Sequence, residues 1–277
     1  MAKSARMRLD ELLVGRGLAP TRSAARGLIM AGLVLVDGRV SDKAGTPIAA
    51  EAQVSLKQRP RFVSRAGEKL AHALEAFQVD VANAEALDVG ASTGGFVDCL
   101  LQNGAARVIA LDVGRGQLAG KLLGDGRVHV LDKTNARNLT PDRLPFLPDL
   151  LTMDVSFISV SKVLPAVFAC MAPRFRGVVL IKPQFEAGPR QVGKGGIVRD
   201  PEVHRQVLLE LGRFVIEDTD VALCGVVDSG LPGTDGNREF FFLLSRGGEK
   251  GWALDTLEAA VDVLVEHTPH METTGNT

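Results

Sequence analysis

Residues 87–96 read LDVGASTGGF, an apolar stub around Asp88 followed closely by Gly90, Ser92, Gly94 and Gly95. Small residues directly behind a strand let a ligand approach the backbone, because glycine carries no Cβ. The runs on either side show what kind of strand this is. ALDV at 86–89, RVIALD at 107–112, RVHVL at 127–131, DLLTMD at 149–154, GVVLIK at 177–182, VALCGVVD at 221–228 and EFFFLLS at 239–245 are apolar and β-rich, with helical stretches between them. Such runs predict an α/β fold with a seven-stranded parallel sheet covered by helices on both faces. Sheets of this kind bind ligands at the carboxyl ends of their strands, so the glycine loop belongs to the site. An amphipathic helix from Ala66 to Phe77 leads in, and a helix with Leu254, Leu257, Val261 and Leu264 on one face closes the fold. The final HTPHMETTGNT is polar and expected to be disordered.

Three kinds of ligand chemistry fit the loop in isolation. A dinucleotide fold uses G-x-G-x-x-G, whereas the pattern here is G-x-S-x-G-G, which weakens that reading. G-x-S-x-G is also a nucleophile elbow, which requires an acid and then a histidine further along the chain. His129 lies within a strand, His204 near a helix start, and His267 and His270 in the tail, so none stands where that base is needed. S-adenosylmethionine accounts for more residues at once. Its methionine end carries an ammonium and a carboxylate and needs a close backbone beside an acid such as Asp88. Asp112, ending the second strand, is placed for the ribose diol, and Asp132, ending the third, for the adenine amino group. Any single aspartate could instead cap a loop or helix. Four successive strands, however, end in or within one residue of an acid, at Asp88, Asp112, Asp132 and Asp154. The candidate cofactor residues are therefore Asp88, Gly90, Ser92, Gly94, Gly95, Phe96, Asp112, Asp132 and Asp154.

With 277 residues, 45% of them hydrophobic, the chain can bury more than one core. No stretch approaches the ~20 apolar residues of a membrane helix, and Asp10 and Glu11 interrupt the N-terminus before an export-signal core can form. The expected location is the cytoplasm. Cys99, Cys170 and Cys224 lie far apart in apolar runs, which predicts core thiols and no metal site. The overall charge of −1 conceals an asymmetry: residues 1–65 carry twelve Lys and Arg against five Asp and Glu, a net +7 that leaves −8 for the remainder. A basic module in front of an acidic one suggests a polyanion-binding piece, although a merely solvated basic face would look the same.

In that front module Leu9, Leu12 and Leu13, then Ala24, Ala25, Leu28 and Ile29, recur at helical spacing, with Thr21 placed to cap the second helix. LVLVDGRV turns at Asp37-Gly38 as a hairpin, and TPIAAEAQVSL adds a strand or two before Arg59-Pro60. RLDELL at 8–13, TRSAARGLI at 21–29 and AGLVLVDG at 31–38 together resemble the S4 RNA-binding domain. That resemblance implies a small α+β domain over residues 1–60 whose basic side meets RNA phosphates. Arg6, Arg8, Arg22, Arg26 and Arg39 become candidate contacts, a salt-dependent grip that positions a partner without reading its sequence.

Beyond the glycine loop, strand ends and nearby segments carry Asp154 in MDVSFIS, Lys182 in LIKPQFE and Glu239 in NREFF, and the leading helix carries Lys69 in SRAGEKL. Together with LDVGASTGGF, and with TNAR at 134–137, these segments resemble the FtsJ-type RNA 2′-O-methyltransferases. With the S4 module in front, the chain is similar to the TlyA family, often labelled haemolysin A. The resemblance implies a seven-stranded Rossmann-like methyltransferase fold over residues 66–267, a linker at 61–65 and a tail at 268–277. It also implies S-adenosylmethionine as cofactor, ribosomal RNA as substrate (a cytidine ribose in 16S or 23S rRNA), and a catalytic tetrad of Lys69, Asp154, Lys182 and Glu239.

A ribose 2′-hydroxyl is a poor nucleophile near neutral pH, so a base must take its proton while the methyl donor is held in line. Lys182 is the candidate base, with Asp154 and Glu239 orienting two ammoniums and with burial and Lys69 favouring the neutral amine. The bland alternative is that Lys182 and Glu239 form a structural ion pair across the sheet. The segment QFEAGPRQVGKGGIVRDPEVH at 184–204 is glycine-rich, and Arg190, Lys194 and Arg199 make it basic. It can close over an RNA strand, or be a surface loop that touches nothing. Arg190 and Lys194, with Arg65 in the linker, complete the RNA candidates. With one Trp, no Tyr and twelve Phe in largely core-like runs, recognition by RNA shape is expected over a stacking platform. Two other classes fit less well. An RNA-binding assembly protein with a vestigial cofactor fold leaves the tetrad unexplained, and a membrane-damaging haemolysin lacks a convincing amphipathic membrane helix.

Overall fold

The computed structural model describes residues 6–57, 60–233 and 235–266. The expectation of a disordered tail, and His267 and His270 with it, lies outside the described residues. The chain divides into two compact units, Met1–Pro60 and Arg61–Thr277.

The first unit contains β1 (Arg6–Arg8), α1 (Leu9–Gly15), α2 (Arg22–Met30), β2 (Val34–Val36), β3 (Arg39–Val40), β4 (Pro47–Ala49) and β5 (Val54–Leu56). Leu9, Leu13, Ala25, Ile29 and Val34 form its small core. The Thr21 hydroxyl accepts the Ala24 N–H at 3.1 Å and caps α2 as the sequence predicts. Asp37 (φ 48°) and Gly38 (φ 77°) both take the left-handed conformation that a two-residue hairpin requires. β2 accordingly pairs antiparallel with β3, and on its other side with β5, while β1 pairs with β4.

The second unit opens with residues 61–65 and α3 (Ala66–Ala76). Phe62 is buried in its core, and the Val63 N–H donates to Asp98 at 2.8 Å. Then come β6 (Glu85–Val89), α4 (Gly95–Gln102), β7 (Arg107–Leu111), α5 (Gly120–Leu123), β8 (Val128–Leu131), β9 (Leu150–Met153) and α6 (Leu164–Phe168). β10 (Phe175–Ile181), α7 (Pro183–Glu186), α8 (Pro201–Asp218), β11 (Ala222–Asp228), β12 (Phe240–Arg246) and α9 (Leu254–Glu266) complete it. The sheet has seven strands in the order β11-β12-β10-β9-β6-β7-β8.

Alternate residues along each strand enter opposite cores. Leu87, Ile109, Leu151, Val179, Phe240 and Phe242 pack with α6, α8 and α9, whereas Ala86, Val108, Leu150, Val178 and Phe241 pack with α3 and α4. One expectation needs correcting, because the sheet is mixed. β12 runs antiparallel to both β10 and β11. A parallel return needs a crossover of about a dozen or more residues, usually helical, and no helix lies between Asp228 and Phe240 among the described residues. The chain order β6-β7-β8 runs outward one way and β9-β10 the other, so the ends of β6 and β9 flank the point where connections diverge.

Candidate active site

The loop after β6 is shaped by its glycines. Gly90 has φ 87°, Ser92 φ 47° and Gly94 φ 93°, and Gly94 is the N-cap of α4. A Cβ on Gly90 would overlap the Asp154 carbonyl, so the loop lies directly against the end of β9. A Cβ on Gly95 would meet Ser64 Oγ, and one on Gly94 would meet Leu118 and Leu122. Asp112 braces the loop from β7: its Oδ2 accepts the Ser92 N–H at 2.8 Å and its Oδ1 the Gly114 N–H at 2.7 Å. Phe96 is buried 6.0 Å from the Phe241 ring and supports the loop from beneath.

Asp88 sits behind this loop and is 1% exposed. It lies opposite Thr152 in the β6–β9 ladder, and Thr152 Oγ1 donates to its Oδ1 at 2.8 Å. Its Oδ2 is buried without a partner. Burial, reinforced by the charges of Asp154 and Asp112, pushes the carboxyl up to about 8 against the Thr152 hydrogen bond. A cavity of about 100 Å³ adjoins it, lined by Ser64, Asp88, Gly90, Ser92, Gly95, Phe96 and Asp154 among others. An orphaned buried acid beside bare glycine backbone fits an ammonium-bearing ligand.

A larger cleft of about 490 Å³ shares Gly90, Ser92 and Asp154 with this cavity and extends past Asp112, Val113, Thr134, Asn135, Ser156, Phe157 and Ile158. An elongated ligand with an amino-acid head and a nucleoside tail matches the two volumes in sequence. Asp132 stands apart from this lining, and its Oδ2 holds the Gly116 N–H at 2.8 Å. Thr134 and Asn135 come into the cleft two and three residues later, a displacement that strand-end counting does not reveal. Phe157 was also missed: it has φ 64°, is 90% exposed, and its ring stands 4.8 Å from Phe185. The TNAR and DVSFIS segments were visible as motifs, but nothing in them assigned these side chains.

The four tetrad candidates form two ion pairs. Lys182, directly after β10, places Nζ 2.5 Å from Asp154 Oδ1 and donates to Ser156 Oγ at 3.0 Å. Lys69, on α3, donates to Glu239 Oε2 at 2.6 Å, and both residues are buried. Gln184 Nε2 donates to the other Glu239 oxygen at 3.3 Å. A buried carboxylate is tolerated only when its charge and lone pairs are answered, and Lys69 and Gln184 do this for Glu239. Arg65 reaches the Pro232 carbonyl at 3.4 Å, and Arg190 and Lys194 are exposed on the segment after α7.

In the first unit three of the arginine candidates converge on one acid. Arg8, Arg22 and Arg26 lie 3.0, 3.3 and 3.2 Å from the Asp10 carboxylate, which is fully buried while the guanidiniums are about half exposed. The Arg8 hydrogen bond, helped by Arg26 and Arg22, holds Asp10 well below the usual carboxylate range. Asp10 thus fixes a cationic cluster that charge counting registered only as a sum. Arg6 and Arg39 are exposed on β1 and β3.

A family model described as FtsJ-like methyltransferase matches residues 62–246, and one described as S4 domain matches residues 7–54. The chain belongs to the FtsJ-like methyltransferase family. Across this FtsJ-like chain, identity is 43% over 266 residues with the 16S/23S rRNA (cytidine-2′-O)-methyltransferase TlyA of Mycobacterium tuberculosis, covering 95% of this chain and 99% of that one. With Hemolysin A of Brachyspira hyodysenteriae identity is 41% over 236 residues, covering 84% and 98%. The solved structure of a candidate hemolysin from Streptococcus thermophilus matches with a TM-score of 0.71 at 38% identity, over 95% of this chain and 97% of that one. The chain is therefore an enzyme of methyl transfer that carries an S4 domain, and S-adenosylmethionine is its methyl donor. No helix among the described residues is long and apolar enough to cross a membrane.

Proposed function

We propose that the enzyme methylates the 2′-oxygen of a cytidine ribose in ribosomal RNA, using the S4 unit to hold the RNA. The observation that carries this reading is the place of Asp154. It lines both the small cavity and the cleft, and its carboxylate holds Lys182 Nζ at 2.5 Å, so an amine is paired with an acid that the two volumes share. The M. tuberculosis relative, named for 16S and 23S rRNA, supports cytidine and both ribosomal subunits as the first substrates to test. The cytoplasm, where ribosomes reside, is the corresponding location.

Asp88 and the Gly90–Gly95 backbone would hold the methionine end of the cofactor, and Asp112 with the Thr134–Asn135 stretch would flank its nucleoside. Bound there, S-adenosylmethionine would supply an electrophilic methyl group on a sulfonium, a good leaving group for transfer to oxygen. Lys182 must first release to solvent the proton that pairs it with Asp154, and its free amine then takes the 2′-hydroxyl proton on Nζ. Asp154 then stabilises the ammonium that results, and Ser156 fixes the direction of Nζ. Lys69 and Glu239 form a second, buried ion pair, which Gln184 of α7, two residues after Lys182, also touches. Positioning of this kind supplies much of the acceleration in a one-step displacement.

The test is transfer of labelled methyl from S-adenosylmethionine to purified small subunits, large subunits and 70S ribosomes. Label in rRNA that blocks alkaline cleavage of the adjacent phosphodiester is the expected result. Label on a base, or none on any rRNA despite measurable cofactor binding, would refute the reading.

A further inference from the structure

Asn237 lies between β11 and β12, two residues ahead of Glu239, and is 1% exposed. Both ends of its amide are used, and on a distant part of the chain. Oδ1 accepts the Val198 N–H at 2.9 Å, and Nδ2 donates to the Gly196 carbonyl at 2.9 Å. One donor and one acceptor on the same peptide stretch make the grip directional, and a carboxamide supplies them from two separate atoms. The segment it holds is the return of the basic loop that follows α7. That loop closes on itself through Gly193 N–H to Ile197 O at 3.0 Å and Gly196 N–H to Gly193 O at 3.1 Å. Val198 is buried, and His204 Nε2 bonds its carbonyl at 3.2 Å.

At its other end the loop leaves α7, which starts directly after Lys182 and whose Gln184 touches Glu239 at 3.3 Å. The loop is therefore tied at its start to Lys182 and Glu239, and at its return to the residue two places before Glu239. Between the ties Arg190 and Lys194 are exposed, and no acid among the described residues lies within ion-pair distance of either. Asn237 also accepts the Gly233 N–H on its own carbonyl at 2.8 Å, and Gly233 packs so tightly on Glu239 that a Cβ there would strike its carboxylate.

We infer that Asn237 is a positioning residue: its side-chain amide latches the Gly188–Val198 loop to the strand that presents Glu239, coupling an RNA phosphate held by Arg190 and Lys194 to the arrangement of the catalytic pairs. This rests on the RNA-methylating reading for its ligand, but the latch itself does not. Loss of the latch frees the loop and spares the cofactor site, because Asn237 lines neither the cavity nor the cleft.

Three variants test it in the full chain. Asn237→Ala removes both bonds. Asn237→Asp keeps the size and the acceptor for Val198 N–H but sets a carboxylate oxygen against the Gly196 carbonyl, and Asn237→Ser, which adds no charge, serves if neither of the other variants folds. Amide exchange over residues 193–199 should speed up by about tenfold in the aspartate variant, the scale of one lost buried hydrogen bond, and by more in the alanine variant, which loses two. S-adenosylmethionine affinity should stay within about twofold, and kcat/KM for the RNA should fall by about tenfold through KM. A cycle with Arg190→Ala plus Lys194→Ala should be non-additive, since all these changes remove one loop contact. Unchanged exchange, or an additive cycle, would overturn the latch. Absence of RNA methylation in the wild type would instead remove the RNA reading, and the exchange result would still decide the latch.

Discussion

At the scale of single residues, Asp88 shows how the site trades stability for binding. Its carboxyl has an ordinary value near 3.8 in the unfolded chain and is pushed to about 8 by burial in the folded one. Between those values the folded state holds a proton that the unfolded state has released, so stability falls as pH rises from about 4 to about 8 and levels off above. The slope contributed by one such group is at most ~1.4 kcal/mol per pH unit. Asp88→Asn should flatten this slope without cofactor, stabilise the chain at pH 8 and weaken S-adenosylmethionine binding by more than about tenfold. Denaturation midpoints across pH, with calorimetry of the cofactor, measure both. An unchanged slope in the variant would show that Asp88 is already ionised. The sequence places Asp88, Asp112, Asp154 and Lys182 at or just past strand ends, and the structure has them there, because a strand end fixes where its next side chain points. Thr134, Asn135, Ser156 and Phe157 were not legible in this way, since loop conformation after β8 and β9, including a left-handed Phe157, decides what enters the cleft.

At the scale of elements, the β6–α4 loop and the end of β9 act as one backbone unit. Gly90 has a left-handed φ of 87°, and any Cβ there would run into the Asp154 carbonyl. Gly90→Ala should therefore cost more than about 1 kcal/mol of stability and displace Asp154 from Lys182. Wild-type stability together with normal cofactor affinity in this variant would show that the loop has room to move. Six of the seven strands run as the apolar pattern predicts, and the seventh does not, for a readable reason. β12 is buried on both faces in either direction, so composition is silent about its sense, and only the lack of a helix before it carries that information. The pairing inside the tetrad was equally hidden. Lys69 meets Glu239 because α3 packs on the sheet face that β12 completes, a contact between residues 170 positions apart.

At the scale of the whole molecule, the charge asymmetry becomes structure. The basic first unit places Arg8, Arg22 and Arg26 around buried Asp10, while Arg39 stands exposed on β3 with no ion-pair partner among the described residues. Arg39→Ala should weaken rRNA binding and lower the slope of log affinity against log salt by about 1, as expected for one lost phosphate contact. An unchanged slope would place Arg39 outside the RNA interface.

The central claim is that Lys182, held by Asp154 beside the cofactor cleft, takes the proton from the acceptor hydroxyl. It is tested most directly by measuring, on the same Lys182→Ala preparation, S-adenosylmethionine affinity by calorimetry and single-turnover methyl transfer to ribosomal subunits. Cofactor affinity within about threefold of wild type, with transfer reduced by at least ~100-fold, is the result expected for loss of a general base. Transfer at the wild-type rate would remove Lys182 from the chemistry and leave its contact with Asp154 as a structural ion pair.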